Sequence, residues 1–390
     1  MLVAANIYTL QMKRLLERWK LEGVKKAGSD DDAPTPGHQL AAGAAAAQPQ
    51  IPLSWTKPGY RFLSDDELGP AVLGDTSFGG MMVVYDWPSG DIVWRQTWGN
   101  MLVTPSGFCF ADGAMFVNDL EGANILKVDV DTAPGRLLAR ISHHYFNDLH
   151  SLERTKRGFL VTCSGTDLIL EIDARGQLLY EWWAAEHGYT TTPSGESRSS
   201  GRGDEHRNRY YHTRYHTTHL NDATFRDDDE RYLLALLFHQ GQLIEIDRSL
   251  PPEKQSARIL LDGLRFPHGL ERIPGGWLFA NTAAKELVLL DDAMQVRKRI
   301  AYDGGWIQDC TRLSNGHIVL NDVDNHRLVE FAPPRWKIAR VVPYDVNWRM
   351  GELLEVPEPY ATSLICALAE DPADDHFNHD RPSQSRESRA

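Results

Sequence analysis

Cysteine is scarce in this chain. Its four residues, Cys109, Cys163, Cys310 and Cys366, include no CxxC pair. That excludes a disulfide scaffold and a zinc ribbon. Long apolar runs are missing as well, and none approaches the ~20 residues that span a bilayer. Positive charge is in deficit: 41 Lys and Arg stand against 54 Asp and Glu, a formal charge of −13. A general nucleic-acid binder needs a basic face to meet phosphates, so that class is excluded. The N-terminus lacks a secretory pattern, because Lys13, Arg14, Arg18 and Lys20 follow its apolar stretch instead of preceding it. The chain is therefore expected in the cytoplasm.

Apolar residues are plentiful. Hydrophobic content of 42% is enough for a large core, and 31 Gly with 11 Trp point to strands joined by tight turns. Residues 3–26 read as an amphipathic helix, with Ile7, Leu10, Leu15 and Leu21 on one side. Such a helix would serve docking or self-association, or would lie on a membrane surface. Residues 28–52 are Asp, Pro, Gly and Ala rich without a period, which marks a linker. Three parts follow: an N-terminal helix and linker over 1–54, a folded body over 55–366, and a polar disordered tail over 367–390.

The body repeats itself. Five segments share one pattern, starting at Gly107, His150, His219, His268 and Asp309, and a weaker copy starts at Gly74. Each carries short apolar strands separated by Gly, Asn and Asp turns, which is all-β. A spacing of roughly 40–50 residues per four-stranded unit means propeller blades. The fold expected is an all-β six-bladed β-propeller with a central channel, its blades beginning near residues 70, 105, 148, 217, 266 and 307.

Aligning the copies puts His150, His219, His268 and Asp309 in one column. His150 precedes Asp173 by 23 residues, and His268 precedes Asp291 by the same 23. His219 precedes Asp247 by 28, the excess being assigned to the polar turn RDDDER. In a propeller the first strand of each blade lines the channel. Imidazoles converging there suit a shared divalent ion. Three His and an open position suit catalytic zinc, while two or three His with a carboxylate suit Fe(II). The expected metal set is therefore His150, His219, His268 and Asp309, with Asp309 as fourth ligand or general base.

A second ring falls on the turns between second and third strands: Asp119, Ser164, His239, Asn281 and Asp322. Asp119 and Asp322 read as caps of turn amides. His239 interrupts the apolar run LALLFHQGQLIEI and is read as an acid/base group or a further ligand. Between the third and fourth blades, residues 184–218 break the repeat and carry Arg207, Arg209, Arg214, Tyr210, Tyr211 and Tyr215. This insertion is a candidate lid, with Arg214 and Tyr215 as substrate-facing groups for an anion.

Two stretches resemble known propellers. IVLNDVDNHRLVEF, which ends at Phe331, looks like the NHL-type blade signature, and FPHGLERIPGGWLFANT, which starts at Phe266, is similar to the gluconolactonase-like superfamily. The resemblance spans about residues 70–345 and implies the six-bladed fold. The openings FPHGL and DLHSL, around His268 and His150, also resemble those of the zinc-dependent peptidyl-hydroxyglycine lyase propeller, which holds zinc on three His. His219, in THLND, departs from that pattern.

The function expected is a metal-dependent enzyme on a small, anionic substrate, of lyase or hydrolase type with Zn, or a non-haem Fe(II) oxygenase on the same ligands. A non-catalytic interaction propeller, and a sulfate-transfer propeller with a His nucleophile, are the readings that need no metal.

Overall fold

In the computed structural model the described residues are 1–9, 79–97, 102, 104–120, 122–131, 135–207, 209, 211 and 213–370. They form six four-stranded antiparallel sheets. Blades two to six each run from an inner strand outward in chain order. Their inner strands are Pro105–Ala111, Leu149–Arg154, Leu220–Phe225, Pro267–Ile273 and Ile307–Arg312. These starts match the expected ones closely, because Gly and Asp turns fix where each hairpin reverses.

Blade one is built differently. Its inner strand is Trp348–Glu355, from the far end of the chain, and the next is Leu2–Thr9. The segment from Gly79 supplies only its two outer strands, Gly79–Asp86 and Asp91–Gln96. The helix expected over 3–26 is therefore corrected at its start: residues 2–9 are a strand paired on both sides, to Gly79–Asp86 and to Trp348–Glu355. Its side chains alternate between two cores. Leu2 and Ala4 pack with blade two, while Val3, Ala5 and Ile7 pack with blade six. A two-sided burial of this kind produces a continuous apolar run that periodicity alone does not tell from a helix. The remainder of that expected helix, the linker and residues 371–390 lie outside the described residues. The body also extends past 366, since a helix spans Glu358–Glu370 and buries Ala361 and Leu364 against blades one and two. Among the described residues no helix is long and apolar enough to cross a membrane.

Six apolar cores hold the ring together, one at each blade–blade interface. Polar clasps join the inner strands at the channel. Asp222 Oδ2 accepts the N–H groups of Gly269 and Leu270 at 2.8 and 3.2 Å. Asp309 Oδ2 accepts Leu353 N–H at 2.6 Å, and Ser151 Oγ accepts Ala223 N–H at 3.2 Å. Each is a side chain of one blade capping the backbone of the next. Close approach at this level requires glycine: a Cβ on Gly269 would lie 2.1 Å from Asp309 Oδ1, and one on Gly107 2.3 Å from His150 O.

Candidate metal centre

Strand pairing sets the true register of the mouth. The first pairs of blades three, four and five are Leu149–Cys163, Leu220–Leu237 and Pro267–Asn281. The residues just before them are Asp148, His219 and Phe266, and all three take left-handed backbone, with φ of 49°, 48° and 54°. His150 and His268 come one residue after the first pair, in the slot that Asn221 fills in blade four. Asp309 lies one residue deeper, in the slot of Ser151, Asp222 and Gly269. The expected column is thus three levels. The 28-residue count for blade four absorbed a shift of the strand start as well as a longer turn.

This register brings a different set together. Among the described residues, Asp148, His150 and His219 place one ligand-type atom each within 4.8 Å of one another. Ligand atoms of a tetrahedral ion sit roughly 3.4 Å apart, given bonds of roughly 2.0–2.2 Å, so small side-chain shifts close the set. The rings of His150 and His219 are 4.8 Å apart and nearly perpendicular. Hydrogen bonding assigns their tautomers. His150 Nδ1–H donates to Asp148 O at 3.0 Å, which leaves Nε2 as the electron-pair donor. His216 Nε2–H donates to Tyr211 O at 3.0 Å, so its Nδ1 accepts from His219 Nδ1–H at 2.8 Å. His219 Nε2 is then also an electron-pair donor. A neutral imidazole whose other nitrogen is held by a carbonyl or a second ring has the form metal-binding His residues take. Asp148 Oδ2 stands 3.7 Å from His216 Nδ1 and adds the negative charge a cation requires.

His268 stays apart from this group. The Phe238 ring lies between, 4.9 Å from His219 and 5.3 Å from His268, edge to face with both. His268 Nδ1–H is shared by Phe266 O at 3.0 Å and Thr282 Oγ1 at 2.8 Å, while the Thr282 hydroxyl donates to Ile307 O. Asp309 is not part of the group either. It is buried at the clasp level, and burial with nearby Asp222 and Glu271 raises its pKa well above the usual carboxylate range.

The turn residues divide by role. Asp119, Asn281 and Asp322 accept the N–H groups of Thr104, Arg265 and Gly305 at 3.1, 2.6 and 3.1 Å, which is the capping role expected of the two acids. Ser164 Oγ donates to Leu220 O. His239 does face the site: its ring is 5.6 Å from that of His219, and its Nε2–H donates to Thr213 O at 3.0 Å.

The insertion is tied to the start of blade three by hydrogen bonds. Asn147 Nδ2 donates to His206 O and Arg209 O at 2.7 and 2.6 Å. Arg207 and Arg209 pair with Glu205 and Asp204 at 2.6 and 2.8 Å, so the insertion answers much of its own charge. Tyr215 is exposed and ends a short 3-10 turn, Thr213–Tyr215, that includes Arg214. The Arg214 side chain and Tyr210 lie outside the described residues. His143 is buried against the insertion, and burial with His144 and Arg207 lowers its pKa to about 4.

Sequence reading missed Asp167. Its buried carboxylate accepts five hydrogen bonds. Oδ1 takes Thr218 N–H, Thr218 Oγ1–H and His219 N–H at 2.8, 2.7 and 2.9 Å. Oδ2 takes Thr217 N–H and Arg198 Nη1 at 2.7 and 3.0 Å. It thereby fixes the end of the insertion and the backbone that carries His219. An Asp after SGT in a polar turn gives no local sign of this.

No protein-family model matches the chain, and no curated protein matches it in sequence. Solved structures do resemble it. A chain of the nidogen/laminin complex superposes with a TM-score of 0.51 at 11% identity, covering 71% of this chain and 94% of that one. A streptogramin B lyase gives 0.46 at 9% identity over 68% and 76%. A 6-phosphogluconolactonase candidate from Bacteroides uniformis gives 0.48 at 14% identity over 70% and 80%. The chain is a six-bladed β-propeller. The likeness is one of fold alone, and propellers host many chemistries.

Proposed function

We propose that the protein is a metal-dependent propeller enzyme that holds a divalent ion on Asp148, His150 and His219 and acts as a lyase or hydrolase on a small anionic substrate. The convergence of these three side chains within 4.8 Å carries the reading. Bound there, Zn or Fe(II) would polarise a substrate oxygen or lower the pKa of a bound water. The protein's own groups supply position and protons. Asp148 O and His216 aim the two imidazoles, and Asp167 fixes the backbone of His219. His239, next to His219, and His268, beyond the Phe238 ring, are the acid/base candidates, and Tyr215 is a candidate substrate contact of the insertion. Asp309, committed to its clasp, is left out of the ligand set. Cys109, Cys163 and Cys310 are free thiols, which supports a reducing, cytoplasmic setting.

Two His and one carboxylate with open positions are also the ligand set of non-haem Fe(II) oxygenases, so that reading is kept second. Elemental analysis of protein purified without chelator tests both. Stoichiometric metal is expected, lost in His150→Ala and His219→Ala and retained in His268→Ala and Asp309→Asn. Oxygen uptake by the Fe(II)-loaded protein with substrate would move the second reading ahead. Protein that carries no metal and takes up none of Zn, Fe(II) or Mn(II) would overturn the proposal in favour of a non-catalytic interaction propeller.

A further inference from the structure

We infer that the substrate of this site carries a planar aromatic ring, bound on a wall formed by Phe266, Phe238 and Trp306. The inference rests on the metal reading for the polar end of the substrate and stands on separate residues for its ring end. These three large aromatic side chains are packed in none of the six blade-interface cores. They pack instead on one another and on the histidines of the mouth. Phe238 and Phe266 are stacked, with centroids 4.5 Å apart and planes at 19°. Trp306 continues the stack, 6.2 Å from Phe266, and meets His268 edge-on at 5.7 Å.

Backbone register ties the wall to the ligands. Asp148, His219 and Phe266 occupy one equivalent position in three successive blades, each in left-handed backbone. In blades three and four this position aims a ligand at the mouth. In blade five it presents a phenyl ring. Left-handed backbone is unfavourable for a bulky residue, and such positions are retained where a site fixes an orientation. Phe238 and Trp306 are buried, while Phe266 is only half-buried. Phe266 is thus the member of the stack with surface left for a ligand. Stacking would orient the ring, and the metal group, one Phe238 ring away, would take an oxygen donor such as a carboxylate.

Benzoate and cyclohexanecarboxylate share charge and approximate size and differ in the π-face. Their affinities are measured by calorimetry on the full chain, zinc-loaded and chelator-stripped. The expected result is roughly two- to tenfold tighter binding of benzoate, the range of an aromatic pair. The preference should fall to unity in Phe266→Leu. Trp306→Leu serves as a second variant if Phe266→Leu does not fold, and should reduce the preference. Equal affinities, or no binding of either probe, in protein that holds stoichiometric zinc would overturn the inference and leave the metal reading standing. A benzoate preference that survives in protein unable to take up metal would uphold the ring wall and remove the metal.

Discussion

Replacing Asp167 by Ala should damage stability and metal binding together. The carboxylate accepts five hydrogen bonds, three of them from the consecutive backbone amides of Thr217, Thr218 and His219. All three amides belong to residues that are almost fully buried, so water replaces the lost acceptor poorly. Hydrogen bonds to a charged group contribute roughly 1.5–3 kcal/mol each, but they are not additive when one group makes them all. Arg198, with a side chain 17% exposed, would also lose a partner. Removing one member of a buried, hydrogen-bonded pair costs about 3–5 kcal/mol, and that range is expected here. Asp167→Asn keeps one acceptor oxygen and should lose roughly half as much. The effect on metal follows from His219, whose left-handed backbone is held through its own N–H. Outer-sphere changes of this kind cost roughly 10–100-fold in metal affinity. Urea unfolding gives the first quantity, and competition of zinc against a chromophoric chelator gives the second. An Ala variant within about 1 kcal/mol of wild type in unfolding and within about twofold in zinc affinity would refute the reasoning.

Other perturbations read other links of the chain. Burial raises the pKa of Glu271 from 4.5 to about 7, against the opposing pull of the Arg312 amide and Thr311. Its folded-state pKa is raised, so its stability contribution is present below about pH 4.5 and is lost as pH rises through 7. Glu271→Gln should therefore gain on wild type by about 3 kcal/mol between pH 4.5 and pH 8, read in unfolding free energies across pH. A constant difference across that range would count against it. Deleting residues 1–9 should open the ring, since Val3 and Ile7 are fully buried and each contributes roughly 1.5–3 kcal/mol. Loss of the cooperative transition by circular dichroism is expected, and a truncated chain with wild-type melting would contradict the closure. Asp148→Asn should weaken zinc binding more than Asp309→Asn, read in the same chelator competition. The reverse order would restore the deeper carboxylate as a ligand.

Much of the architecture was legible in the chain because it is local. Blades two to six are meanders whose strands pair with their sequence neighbours, and turn residues such as Asp173, Gly275 and Asn325 punctuate them. The repeat therefore gave the all-β class, the propeller and five of six inner strands. Blade one escaped because its closure is not local: Val3 pairs with Tyr85 on one side and with Glu355 on the other. No window of sequence contains that contact, and a strand buried on both faces has no alternating signature.

The candidate site divides along the same line. Histidine at the mouth was readable, and His150 and His219 do converge. Their third partner was not, because Asp148 and His219 become equivalent only through strand register, and a count of residues to the strand end cannot separate a longer turn from a shifted start. A slip of one or two residues exchanges levels of the channel. One residue moves Asp309 from the mouth to a clasp on Leu353 N–H, and two residues set His219 off from the level of His268, with Phe238 between them. Sequence by itself determined which side chains were available near the channel. Tertiary structure decided which of them stand together, because the left-handed turn at 148, 219 and 266 and the packing of the insertion on Asp167 exist only once the blades stand side by side.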